Sequence, residues 1–245
     1  MGAEAKTPPS KASDAQLPEA HSSAAEVDAF LDRVKAITTA KPAGERGRLL
    51  FAMDATMSRQ PTWDMAMGMQ VDMFRTVKDV GGLDVQLIYF RGFGECRASK
   101  WVSDPEALAR LMTSVRCQGG FTQIAKVLSH AKSQSRKKKV DAVVYVGDSM
   151  EENIDHLAAL AGELGMLGVP VFLFQEGYDG SAETAYREIA RLTRGAYCRF
   201  DAGSAQQLQE LLSAVAAFAA GGRQALEDLS RAKGGATQLL LKQIT

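Results

Sequence analysis

Apolar positions along the chain follow two alternating periods. Val27, Phe30, Leu31, Val34 and Ile37 recur at spacings of three and four, which predicts an amphipathic helix over 24–40 that Pro42 and Gly44 bring to an end. Its apolar face either packs on the edge of a domain or receives a partner. Beyond it stand short, almost wholly apolar runs at 48–53, 85–90, 142–146, 169–174 and 196–200. Runs of this kind suit strands buried on both faces. Stretches with helical period fall between them, near 62–79, 104–115, 122–135, 152–166, 182–193 and 204–220. The alternation predicts an α/β domain over 46–220, with a mostly parallel central sheet and helices on both faces. One strand differs. The segment 95–102 follows 85–90 through the link 91–94, which is too short for a crossover helix, so it predicts a hairpin and one antiparallel edge strand.

The ends read differently. Residues 1–23 are rich in Ala, Ser, Pro and Lys without a periodic apolar face, the composition of a disordered N-terminal tail. After Gly221 and Gly222 a weaker amphipathic stretch at 224–232 leads through Gly234 and Gly235 to three leucines at 239–241. This C-terminal extension, 221–245, either folds back on the domain or serves as a docking peptide. No run of about 18 or more apolar residues is present to span a bilayer. The opening Met-Gly carries Lys6 where a myristoylation signal needs Ser or Thr.

Composition narrows the function classes. With 46% hydrophobic residues the chain can build a sizeable core, and its 29 basic residues balance 29 acidic ones. That balance argues against a nucleic-acid-coating protein, which presents a basic face. The one basic run, at 136–139, reads as a solvated loop, with a phosphate or RNA contact as the alternative. Three widely spaced cysteines, Cys96, Cys117 and Cys198, suit neither a disulfide framework nor, with His21, His130 and His156, a zinc site. They point to a reducing, cytoplasmic setting. Six of the ten methionines fall at 53, 57, 65, 67, 69 and 73. Met69 and Met73 share a helical face with Val77 and read as core; Met57, with Met65 or Met67, is a candidate for an adaptable surface near the site, although core packing is the plainer reading.

In open α/β sheets ligands bind beyond the carboxyl ends of the strands. Asp54, Ala55, Thr56, Met57 and Ser58 follow the first run, and Gly147, Asp148 and Ser149 follow the third. Between these in sequence, at a helix start, stand Gly119, Gly120, Phe121 and Thr122. The three loops would supply two carboxylates and three hydroxyls, a set of oxygen donors that a hard cation such as Mg²⁺ or Mn²⁺ prefers. Each residue also has a plainer reading. Asp148 and Thr122 could each cap a helix. Glu151 and Glu152 read as solvating the first turn of the helix that follows them, where the dipole favours acids, with tuning of the cation's charge as the alternative.

At these residues the chain resembles the von Willebrand factor A (VWA) family and its metal-ion-dependent adhesion site. That site reads Asp-x-Ser-x-Ser after the first strand, Thr in a second loop and Asp after the fourth strand. Asp54, Thr56 and Ser58 match the first element, Thr122 the second and Asp148 the third; the nearest likeness is to bacterial members reading Asp-Ala-Thr. Thr56 keeps the hydroxyl of the usual Ser. Met57 stands where Gly is frequent, and a turn needing positive φ there would be strained. The resemblance implies a Rossmann-like three-layer sandwich. It implies Mg²⁺, with Mn²⁺ as an alternative, ligated by Thr56, Ser58 and Thr122, with Asp54 and Asp148 holding bound waters and orienting the hydroxyls.

It further implies a protein-binding module rather than an enzyme: a partner's acidic residue completes the coordination, and an adaptor role in a cytoplasmic complex follows. Neither nucleic acid nor membrane is expected as partner. Two other readings stand beside it. One is a scaffold with a vestigial metal site. The other is a phosphoryl-transfer enzyme using Asp54 as nucleophile, for which Thr56 occupies the place of the usual acid/base Asp.

Overall fold

The computed structural model describes residues 22–36, 45–56, 58, 60–77, 82–201 and 205–232. Of the tail expected over 1–23, residues 1–21 lie outside them, as do the leucines at 239–241, Met57 and the side chains of Met67 and Val77. Ser22 and Ser23 are ordered, against that expectation, because Ser22 bonds to Arg199 and the Ser23 hydroxyl accepts from the Glu26 N–H. Among the described residues, six strands form one sheet: β1 (Gly47–Asp54), β2 (Leu83–Arg91), β3 (Glu95–Val102), β4 (Ala142–Gly147), β5 (Val171–Glu176) and β6 (Ala196–Phe200). Among the same residues, seven helices accompany them: α1 (Ala24–Ala36), α2 (Gln60–Val77), α3 (Pro105–Thr113), α4 (Ile124–Lys137), α5 (Ile154–Met166), α6 (Gly180–Leu192) and α7 (Ala205–Ala232). The strand order is β3-β2-β1-β4-β5-β6. Every pairing is parallel except β2 with β3, which is antiparallel and forms the edge. The expected α/β sandwich, with its single antiparallel edge strand, is the observed one.

The period of two along each strand divides the core into two layers. Leu49, Phe51 and Met53 of β1 point one way with Val85, Leu87, Val144, Phe172 and Phe174, and meet α1, α2, α3 and α7. Leu50 and Ala52 point the other way with Ile88, Phe90, Val143, Tyr145 and Leu173, and meet α4, α5 and α6. All eight residues of β1 are buried, so β1 runs through the middle of the protein and its carboxyl end is fixed on both sides.

α1 packs on the sheet rather than standing away from it. Phe30 is buried with its ring 5.9 Å from Phe172 and 5.5 Å from Phe174. Ahead of α1, the Ser22 N–H donates to the Arg199 carbonyl at 3.0 Å and the Arg199 N–H donates to the Ser22 hydroxyl at 2.8 Å. The chain therefore enters along the outer edge of β6. α7 runs on to Ala232, but Gly222 (φ 66°, ψ −156°) breaks its regularity, where the paired glycines divide the sequence pattern. Met53, Met69 and Met73 are buried and Met65 packs against them, as core side chains.

The basic run at 136–139 is not a free loop. Arg136 and Lys137 form the last turn of α4 and Lys138 follows as its C-cap, where cations complement the helix dipole. The carbonyls of Lys138 and Lys139 accept from the Arg48 guanidinium, which lies 4.0 Å above the Trp101 ring.

Candidate metal centre

β1 delivers Asp54 to the rim of the sheet, and the chain turns at once. The Ala55 N–H donates to the Phe90 carbonyl at 3.0 Å, holding the turn against the end of β2. Asp54 is 1% exposed, and its Oδ1 accepts the Thr56 N–H at 2.7 Å. This local bond folds the loop back over the carboxylate, as short acidic side chains commonly do after a strand. The Thr56 and Ser58 hydroxyls lie 3.3 Å apart. Ser58 then crosses to β4's loop, its hydroxyl donating to Asp148 Oδ2 at 3.1 Å. Four of the five expected residues, Asp54, Thr56, Ser58 and Asp148, thus form one continuous polar chain across the ends of adjacent strands.

Thr122, the fifth, reaches the same rim but makes a different contact. Its loop is tied to the first by the Gln118 N–H donating to the Ala55 carbonyl at 2.9 Å, and to the β2–β3 hairpin by the Phe121 N–H donating to the Gly92 carbonyl at 3.1 Å. The Thr122 hydroxyl donates to Glu151 Oε2 at 2.7 Å, and the Thr122 N–H donates to the same oxygen at 3.0 Å. Glu151 lies three residues after Asp148, so Thr122 is bridged to the β4 loop rather than bonded to the other four.

The plainer readings of these residues do not hold. α5 is capped by Asn153, whose side chain accepts from His156 N–H, so Asp148 is no cap. α4 begins after Gln123, which makes no side-chain cap bond, so Thr122 is no cap either. Glu151 and Glu152 do not solvate their own helix. They reach to α4 instead: Glu152 accepts from the Ile124 N–H and, at 3.0 Å, from the Ala125 N–H. Those N–H groups would otherwise be orphaned at a helix start, and a carboxylate there also meets the positive end of the dipole. A signal for this was present in the sequence. Asn153 is already a good cap with Asp155 in the first turn, which leaves the two preceding acids to find partners elsewhere.

Ser149, next to Asp148, donates to Asp148 Oδ1 at 3.1 Å. Its carbonyl accepts from the buried Tyr186 hydroxyl at 2.9 Å, and the Tyr186 ring stands 5.4 Å from Tyr145. Burial, with Asp54 adding its charge, pushes both phenols far above their ordinary range. Both stay protonated, and Tyr186 holds the β4 loop from beneath through its bond to the Ser149 carbonyl. Neither tyrosine was marked by the sequence pattern, because each also fits an ordinary core position.

The donor set is chemically consistent with a hard divalent cation. Every candidate is an oxygen, and Ser58 and Thr122 turn their protons toward carboxylates. The Thr122 oxygen accepts from the Glu151 N–H at 3.3 Å and the Ser58 oxygen meets the Thr56 hydroxyl at 3.3 Å, which leaves at most one lone pair on each for another use. Among the described residues no group of three or more His, Cys, Asp or Glu side chains is disposed to hold a metal. Any cation at this rim would therefore depend on hydroxyl oxygens as well as on the two aspartates.

No protein-family model and no curated protein sequence matches the chain. Solved structures do, and they define the fold as that of von Willebrand factor A domains. A von Willebrand factor type A protein from Catenulispora acidiphila matches with a TM-score of 0.57 at 15% identity, over 71% of this chain and 43% of that one. An aerotolerance-related membrane protein from Bacteroides fragilis matches at 0.52 and 19% identity, over 68% of this chain and 98% of that one. Proximal thread matrix protein 1 of the mussel byssus, with a zinc-occupied adhesion-site motif, matches at 0.55 and 13% identity, over 71% and 46%. Likeness at these identities carries the fold, while function rests on the site itself. Among the described residues no helix is long and apolar enough to cross a membrane.

Proposed function

We propose that the protein is a non-catalytic protein-binding module in which Asp54, Thr56, Ser58, Thr122 and Asp148 hold a divalent cation, Mg²⁺ or Mn²⁺, at the rim of the sheet. The observation that supports this reading is the continuous polar chain from Asp54 through Thr56 and Ser58 to Asp148. It joins residues 94 positions apart in sequence (148 − 54) into one oxygen-lined rim. The mussel protein's zinc-occupied motif adds that this fold can carry a divalent metal. When bound, the cation would supply a Lewis-acidic point that attracts an acidic side chain of a partner. Asp54, buried and fixed by the Thr56 N–H, sets the shape of the first loop. Ser58 ties that loop to Asp148, and Glu151 orients the Thr122 hydroxyl. An adaptor in a cytoplasmic complex is the setting we favour, on the strength of the cysteine pattern.

A scaffold with a vestigial site is the second reading. It is favoured by Glu151, whose carboxylate already engages both the hydroxyl and the N–H of Thr122. Thermal melting against Mg²⁺ separates the two. A cation that binds only the folded state stabilises it by about 2.7 kcal/mol at a hundred times its Kd, a rise of roughly 5–11 °C in a domain of this size. The metal-binding reading expects that rise in the wild type and its loss in Asp54→Ala. Equal melting temperatures with Mg²⁺ and with chelator would leave the scaffold.

A further inference from the structure

Two of the most exposed large apolar side chains among the described residues stand together beside the candidate metal centre. Phe93, at the tip of the β2–β3 hairpin, is 88% exposed and Phe121 is 57% exposed. Their rings meet edge to face with centroids 5.5 Å apart. The arrangement is held from below. The Phe121 N–H donates to the Gly92 carbonyl, and Lys126 Nζ donates to the Gly94 carbonyl at 2.8 Å and to Gln123 Oε1 at 2.7 Å. The pair therefore sits on anchored backbone on both sides. Phe121 is the residue immediately before Thr122, so the aromatic surface and the polar rim are continuous. Exposed aromatic pairs are costly to leave in water and are common anchors of protein recognition.

The charges around the pair select among partners. The half-buried Arg91 and exposed Arg97 lie on the hairpin, exposed Arg116 in the adjoining loop and exposed Lys126 in the first turn of α4, and Glu95 is the acid paired with Arg91 and Arg97. On the far side of Thr122, Glu151 and Glu152 are engaged with Thr122 and the start of α4. We propose that Phe93 and Phe121 form the apolar half of a bipartite recognition surface for an acidic segment of a partner protein. That segment carries a large apolar side chain within a few residues of its acidic ones: the apolar side chain packs on the two rings, and its acids face the hairpin cations and the metal rim. The metal part of this assignment rests on the function proposed above. The aromatic part does not.

The test uses a phage-displayed library of random dodecapeptides, selected on the full chain in Mg²⁺. The expected result is enrichment of peptides with a large apolar residue within four positions of Asp or Glu. Their affinity should fall about tenfold or more in Phe93→Ser/Phe121→Ser, as loss of an anchoring aromatic does, while the melting temperature and its Mg²⁺ response stay as in the wild type. Asp54→Ala, measured with the same peptides, reports the metal contribution separately. If Phe93→Ser/Phe121→Ser weakens binding and Asp54→Ala does not, the aromatic surface stands and the metal bridge fails. Selection of nothing, or of acidic peptides indifferent to Phe93→Ser/Phe121→Ser, overturns the assignment. So does self-association of the wild-type chain in sedimentation that the double variant abolishes, which would make a second copy the occupant.

Discussion

Gly119 and Gly120 are neighbours in one loop, and the structure assigns them opposite responses to a single added methyl. A Cβ on Gly120 would stand 2.1 Å from the Gly92 carbonyl oxygen and 2.3 Å from the Gly92 nitrogen. Both are backbone atoms of a turn in which Gly92 itself adopts φ +61°, so no side chain can swing aside. The loop would have to lift off the hairpin, breaking the bond from the Phe121 N–H to the Gly92 carbonyl. Forced overpacking costs about 1–3 kcal/mol and the lost hydrogen bond about 1 kcal/mol. Gly120→Ala should therefore destabilise by about 2–4 kcal/mol, a fall in Tm of roughly 4–16 °C. A Cβ on Gly119 meets nothing within 4 Å. Gly119→Ala should be neutral, or stabilising by about 0.4–1 kcal/mol through the unfolded chain. Differential scanning fluorimetry of the two variants checks this, with urea unfolding giving the free energies. Equal melting temperatures for the two, or a Gly120→Ala protein as stable as wild type, would refute the close apposition of this loop and the hairpin.

Two further outcomes follow from particular contacts. Glu152→Ala removes both acceptors at the start of α4 and should cost about 1–3 kcal/mol in urea unfolding, from the lost cap and the lost charge at the dipole; Glu152→Gln, keeping one acceptor oxygen, should fall between. His130 is held below its ordinary 6.5 by burial, with Lys137 adding to the effect, and its Nε2 lies 2.9 Å from Gln86 Oε1. The folded protein favours the neutral ring, so the unfolded chain takes up the proton first as pH falls below 6.5 and stability declines until the folded-state value is passed. Melting temperatures at pH 7.5 and 5.0 should differ more in wild type than in His130→Gln; an equal difference in both would remove His130 as the cause.

The strands were legible because burial on both faces leaves a nearly unbroken apolar run, and β1 is the clearest case. Their ends were less so. The run from 169 begins two residues before β5, because Val169 and Pro170 are apolar yet lie ahead of the pairing of Val143 with Val171. The hairpin of β2 and β3 followed from the shortness of its link alone. At the site, Asp54, Thr56, Ser58 and Asp148 were legible because they follow strand ends in a fixed order. What the pattern concealed were contacts made across loops. Glu151 and Glu152 bond 27 to 29 residues away, and Tyr186 reaches Ser149 from 37 residues away. The pairing of Phe93 with Phe121 appears only once the hairpin and the following loop are folded against each other. No periodicity encodes such meetings.

The entry of the chain beside β6 has a consequence for how the molecule meets its neighbours. A parallel sheet ends in backbone groups able to recruit a foreign strand, and at Arg199 both of those groups are already satisfied by Ser22. At the opposite border, β3 sets Arg97 and Lys100 outward, and charge of that kind discourages strand addition. With Arg199 already paired at one border and charge on the other, strand addition is disfavoured at those positions, and association is left to the loops where the strands end.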